Sequence, residues 1–241
     1  MIKSGYVIND TIIENMPNKT GKLIVVEGTD GSGKGTQIEL LAQYLRKKKK
    51  SFEISDFPQY DNFSGAFVAK YLRGEYGSAE EVGPYRGSIF YAIDRYDKSF
   101  DIRKWISKGK TVISNRYVSA SMGHQAGKID NKKKRDSFLK WLHDLEYNIF
   151  NIPKPDITIL LYVPPEMGQK LVDGKATRAY VNGKKRDIHE ADLDHLKKAS
   201  EAYVYVAKKY KWTIINCAPD GIMRSRESIH EEIIKKLNQY L

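Results

Sequence analysis

The residues best suited to chemistry lie in one short stretch, "LIVVEGTDGSGKGTQ", from Leu23 to Gln37. Within it Gly28, Thr29, Asp30, Gly31, Ser32, Gly33 and Lys34 fit the pattern G-x-x-x-x-G-K, followed by Gly35 and Thr36. Glycines let consecutive backbone N–H groups converge on phosphate oxygens without Cβ interference. A helix opening at Gly33 would add its unpaired N–H groups and the positive end of its dipole. Lys34 would set a point charge on the outer phosphates, and the Thr36 hydroxyl could bind phosphate or Mg²⁺. A plain Gly-rich turn would not explain why strand, turn, lysine and amphipathic helix come in that order. The dinucleotide pattern G-x-G-x-x-G is missing, so the lysine points to a nucleoside triphosphate.

Such a loop works only if the fold positions it. Continuous apolar runs at Leu23–Glu27, Val112–Ser114, Ile157–Val163 and Trp212–Asn216, with a weaker one at Phe52–Asp56, read as strands covered on both faces. Segments with helical spacing separate them: Lys34–Arg46, Asn62–Leu72, Tyr85–Ile106, Lys133–Phe150, Ala191–Lys209 and Ser225–Tyr240. The alternation predicts an α/β fold with a doubly wound parallel sheet of five strands and helices on both faces. Ligands in such sheets sit beyond the carboxyl ends of the strands.

The chain has 241 residues and no internal repeat, which suits one domain, residues 21–241, after a leader over residues 1–20. Its formal charge is +11, so anionic partners are expected. The basic runs Arg46–Lys50 and Asn131–Arg135 fall at helix ends, where they read as solvated charge rather than a nucleic-acid surface. Cys217 is the only cysteine, which excludes an internal disulfide and fits a reducing, cytoplasmic setting. No apolar run approaches the ~20 residues of a membrane span.

Five further motifs follow in order: "DFPQY" (Asp56–Tyr60), "FYAIDRY" (Phe90–Tyr96), "NRYVSASMGHQ" (Asn115–Gln125), "LYVPPE" (Leu161–Glu166) and "RDIHEADLDHL" (Arg186–Leu196). With the loop, they make the chain from Leu23 onward resemble the thymidylate kinases, members of the P-loop nucleoside-monophosphate kinases. The resemblance implies transfer of the γ-phosphoryl of ATP to thymidine monophosphate with Mg²⁺, in a homodimer without membrane or nucleic-acid partners.

The resemblance also implies roles. Tyr91 would stack on thymine and Arg95, four residues on and so on the same helix face, would read the base edge. Arg116 would grip the acceptor phosphate with its planar fork of donors. Asp30 would hold the sugar 3′-hydroxyl. Phe57, Tyr60, Ser121, His124 and Gln125 would line the same site, His124 by contact rather than proton transfer. Two positions depart from the pattern. Asn115 stands where the family normally has Asp, so it would meet the metal with weakened or water-mediated coordination. Gln59 stands where some relatives carry an arginine, which would leave more of the acceptor phosphate to Arg116 and Arg73.

The basic stretch between Pro165 and His189 resembles the lid of these kinases, at about residues 165–190. The phosphate loop contains no arginine, so the charge on the transferring group would be met from the lid. Arg178 ranks first and Arg186 second, ahead of Lys175 and Lys170. Two other readings stay open at this point: a kinase for another (deoxy)nucleoside monophosphate, and a non-catalytic nucleotide or nucleic-acid binder.

Overall fold

A computed structural model describes residues 21–173 and 193–241. The leader, and the part of the expected lid that carries Lys175, Arg178 and Arg186, lie outside the described residues.

The five strands are β1 (Lys22–Glu27), β2 (Phe52–Asp56), β3 (Thr111–Asn115), β4 (Ile157–Tyr162) and β5 (Thr213–Asn216). They form one sheet in the order β2-β3-β1-β4-β5. Every neighbouring pair is parallel. The crossovers run to one side of β1 for β2 and β3 and to the other for β4 and β5. The carboxyl ends of β1 and β3 therefore flank the switch point, where such sheets place their ligand crevice.

The side-chain alternation of β1 serves two cores. Leu23 and Val25 face one side, with Val112 of β3, and are covered by α3 (Ala79–Ser107), α4 (Val118–His124), α5 (Lys132–Asp144) and α7 (Leu193–Lys209). Ile24 and Val26 face the other side, with Ile113, Ile159, Leu161 and Ile215. There they meet Ile38, Leu41 and Leu45 of α1 (Lys34–Lys47) and Ile229, Ile233 and Leu237 of α8 (Arg226–Leu237). All these strand residues are fully or almost fully buried, which is why the strands read as unbroken apolar runs.

Several helices depart from the periodicity. The expected helix Asn62–Leu72 is a 3₁₀ turn, Phe63–Gly65, leading into α2 (Ala66–Leu72). The helix expected from Tyr85 starts earlier. Ser78 and Glu81 form a reciprocal capping box, the chain breaks at Gly83 (φ 71°), and Pro84 reopens the helix. The helix expected over Lys133–Phe150 ends as α5 at Asp144 and continues as a π turn, Leu145–Ile149. After β4, α6 (Pro165–Asp173) begins the segment read as a lid.

Candidate active site

The loop after β1 leads directly into α1, whose N-cap is Gly33 in the left-handed region. Lys34 is buried and its Nζ donates to the loop carbonyls of Gly28 and Thr29, at 2.9 and 3.0 Å. That anchorage keeps a cation inside the curl of backbone amides. Glu27, the fully buried last residue of β1, fixes the floor. Its carboxylate accepts from Tyr117 N (3.0 Å), Ser119 Oγ (2.8 Å) and the Tyr203 hydroxyl (3.0 Å). Two strand ends and α7 are thus tied to one carboxylate, a contact network sequence reading did not find.

Next to the loop opens a cavity of about 550 Å³. Gly31, Gly33, Lys34 and Gly35 line one end of it. Asp30, Phe57, Tyr60, Tyr91, Arg95, Arg116, Ser121, His124 and Gln125 line the remainder, together with Asn115 and Asp56. Residues from the loop after β1 and from α1, β2, α3, β3 and α4 thus converge on the switch point. Gly28, Thr29, Ser32 and Thr36 complete the loop behind this wall, Thr36 half-buried in the first turn of α1.

Arg116 follows β3 with a left-handed backbone (φ 65°) that turns its side chain across the crevice. Nη2 meets Asp30 Oδ1 at 2.8 Å, and Nη1 lies 3.1 Å from His124 Nε2. Burial alone would lower the Arg116 pKa; Asp30, with Tyr203 and Glu27 behind it, holds it well above the ordinary arginine value. The guanidinium is therefore a permanent cation spanning the loop and α4.

Arg95 is 1% exposed and fully engaged. Nε and Nη2 bind the two oxygens of Glu146 at 2.7 Å each. Nη2 also donates to Ser121 Oγ (2.9 Å) and Nη1 to the Tyr117 carbonyl (3.2 Å). These account for four of the five guanidinium N–H groups, leaving one on Nη1 to face a guest. Tyr91, one turn earlier, lines the cavity with its ring edge-on to Tyr71. Gln125 is buried, and its Oε1 has no partner among the described residues.

Gln59 turns away from the cavity. Its backbone N–H and Nε2 donate to the buried Asp94 carboxylate at 3.0 and 3.1 Å, which pins the β2–α2 loop to α3. Arg73 pairs with Glu75 at 2.6 Å and does not line the cavity. Asn115 donates from Nδ2 to Asp56 Oδ1 at 2.8 Å. Burial lifts the Asp56 carboxyl above the usual range, while Asn115, Arg116 and Lys34 pull it back in part.

The five-stranded parallel sheet with helices around it agrees with the comparisons. The thymidylate kinase family model matches residues 26–233. The chain is 27% identical over 221 residues to the thymidylate kinase of Plasmodium falciparum, covering 92% of this chain and 91% of that one. It is 32% identical over 213 residues to a probable thymidylate kinase of Methanocaldococcus jannaschii, covering 88% and 93%. The fold matches a thymidylate kinase structure from Candida albicans with a TM-score of 0.69 at 18% identity, over 91% and 92% of the two chains. With its family match running from the end of β1 into the last helix, the chain belongs to the thymidylate kinase family.

Proposed function

We propose that the protein transfers the γ-phosphoryl group of ATP to thymidine monophosphate, giving ADP and thymidine diphosphate. The observation that carries this reading is the single cavity in which all the acceptor-side residues meet the phosphate loop. The loop amides, Lys34 and the N-terminus of α1 take the ATP phosphates. The acceptor base lies against Tyr91, whose stacking is worth ~1–3 kcal/mol. The spare N–H of Arg95 and the unpartnered Oε1 of Gln125 are a donor and an acceptor suited to a pyrimidine edge. Arg116 holds the acceptor phosphate beside Asp30, which accepts from the sugar hydroxyl. Because Arg116 bonds Asp30 on the donor loop, the two nucleotides are set in one frame.

The attacking phosphate oxygen is already anionic, so no general base is required, and positioning and charge carry the catalysis. Mg²⁺ fits the site. Oxygen donors of Asp56 and Asn115 line the cavity together with Lys34 of the loop, as suits an ion that takes one or two protein oxygens and otherwise phosphates and water. Thr36 and the Asn115 position would hold it, and its chemistry there is neutralisation of phosphate charge. A lid arginine, Arg178 ahead of Arg186, counters the negative charge on the transferring group, and lid closure excludes water.

The enzyme acts as a homodimer. Ile89, Ile93, Tyr96 and Phe100 form an exposed apolar stripe at helical spacing on α3, flanked by Phe63, which is 86% exposed. A second copy would cover it. The single buried thiol, Cys217, agrees with a reducing cytoplasmic setting. No helix among the described residues is long and apolar enough to cross a membrane.

A coupled ADP-release assay across the common nucleoside monophosphates tests the reading. Thymidine monophosphate should give the highest kcat/KM. Preference for another monophosphate would reassign the acceptor, and absence of ADP formation with all of them would remove the activity.

A further inference from the structure

Three carboxylates line the cavity, Asp30 in the phosphate loop, Asp56 at the end of β2 and Asp61 in the turn beyond it; Asp30 and Asp56 are the two beside Asn115 and Arg116, and they are not equivalent. Asp30 is neutralised by Arg116 at 2.8 Å. Asp56 ends β2 in register with Asn115 at the end of β3, and its side chain is met by the Asn115 amide rather than by a cation. Among the described residues it forms no ion pair; Lys34 and Arg116 are close enough to act on it through space, but their hydrogen bonds go to the loop carbonyls and to Asp30. A carboxylate outside any ion pair, in a cavity that must admit the phosphates of two nucleotides, repels them both. It has no proton to remove, because the acceptor oxygen is anionic. Its presence makes sense if a cation enters with the nucleotides.

We propose that Asp56 supplies the protein carboxylate for the divalent cation between the two nucleotides, and that Asn115 is the positioning residue that aims it. The proposal rests on the kinase reading and deepens it. The carboxylate stands at the end of β2, across a single hydrogen bond from Asn115 at the neighbouring end of β3. Asn115 donates one end of its amide to Asp56, and that contact fixes the rotation of the carboxylate; its own buried Oδ1 has no partner among the described residues. A carboxylate at both positions would place two like charges within hydrogen-bonding distance and, without a cation between them, would push one of them toward its protonated form. One acid and one amide is the arrangement that stays charged and fixed.

The test compares the wild type, Asp56→Asn, and the exchanged double variant Asp56→Asn with Asn115→Asp. Mn²⁺ binding to the non-reacting complex with ADP and thymidine monophosphate is read by electron paramagnetic resonance, and binding of thymidine monophosphate without metal by calorimetry. Asp56→Asn should weaken Mn²⁺ by about 10–100-fold, the range for groups that set a metal site, while metal-free acceptor binding holds or improves. The exchanged variant should recover most of the loss, because it restores one acid and one amide across the same bond. An unchanged Mn²⁺ affinity in Asp56→Asn, or an exchanged variant no better than the single one, overturns the proposal. Neither readout requires turnover, so a wild type that binds Mn²⁺ with both nucleotides yet makes no ADP in the monophosphate assay would sink the kinase reading alone.

Discussion

The Arg95 guanidinium closes on the Glu146 carboxylate in a two-point ion pair, each contact 2.7 Å, with the two side chains 2% and 0% exposed. Burial opposes the charge on Arg95, and Glu146 overcomes it. The pair joins α3 to the π turn after α5 and fixes the plane of a group that faces the cavity. Removing one partner of such a pair leaves a buried charge and costs ~3–5 kcal/mol, whereas replacing both by apolar residues can be neutral. Glu146→Ala should therefore lower stability by that amount in urea denaturation. The double variant Arg95→Met with Glu146→Leu should regain most of it. Only the acceptor KM should stay raised in the double variant, because no donor then meets the base. Normal acceptor KM in that variant would remove Arg95 from the binding site.

Glu146 also marks where the sequence stops being legible. The loop, the strands and the acceptor residues could be read because each is tied to a local pattern: an apolar run, a glycine spacing, a motif after a strand. Glu146 sits in "DLEYN", where a uniform helix from Lys133 to Phe150 would treat it as one more surface acid. The π turn over Leu145–Ile149 changes the register and sends it inward. Its partner lies 51 residues away, and no local signal announces it. Gln59 shows the same limit. It stands where some relatives are expected to carry an arginine, and nothing local announces that the buried carboxylate of Asp94 claims its side chain. Asp56 looked like an ordinary strand end until register placed it beside Asn115.

The loop glycines separate strain from steric overlap. Gly31 (φ 81°) and Gly33 (φ 86°) both occupy the left-handed region. A Cβ on Gly33 would meet nothing, whereas one on Gly31 would overlap the Gly168 carbonyl of α6. Gly33→Ala should cost the free protein only the conformational term, ~1–2 kcal/mol. Gly31→Ala should cost clearly more, because loop or α6 must move. Urea denaturation without nucleotide measures both, and equal losses would show that α6 does not press on the loop.

Among the lid residues the expected order is Arg178 before Arg186. An arginine that meets charge only in the transition state lowers kcat when removed and leaves ground-state binding nearly intact. Arg178→Ala should reduce kcat by ~10³-fold or more, the range for arginines at transferring phosphoryl groups. KM for ATP should change little. Steady-state kinetics on both alanine variants decides the order, and a larger kcat loss in Arg186→Ala reverses it.

Lys128 gives the fold a dependence on alkaline pH. Its Nζ donates to the Tyr71 hydroxyl (2.6 Å) and the Ala79 carbonyl (3.3 Å), tying the turn after α4 to α2 and the start of α3. Burial lowers its pKa from 10.5 to about 8. Between those values the unfolded chain holds a proton that the folded protein has released. Stability therefore rises with pH across the window, and below pH 8 the folded state carries the full cost of a charged, desolvated ammonium. The stability gap between wild type and Lys128→Met should shift in favour of wild type by about 1–2 kcal/mol from pH 7.5 to 9.5. The buried tyrosines Tyr117 and Tyr203, whose pKa values burial raises, act in the opposite sense. Their unfolded counterparts ionise near pH 10, so they lower the stability of both proteins alike and cancel from the gap. Urea denaturation of the pair at 0.5-unit steps, roughly the spacing needed to resolve one titration, would show a sloping gap; a flat one would mean that Lys128 keeps its ordinary pKa.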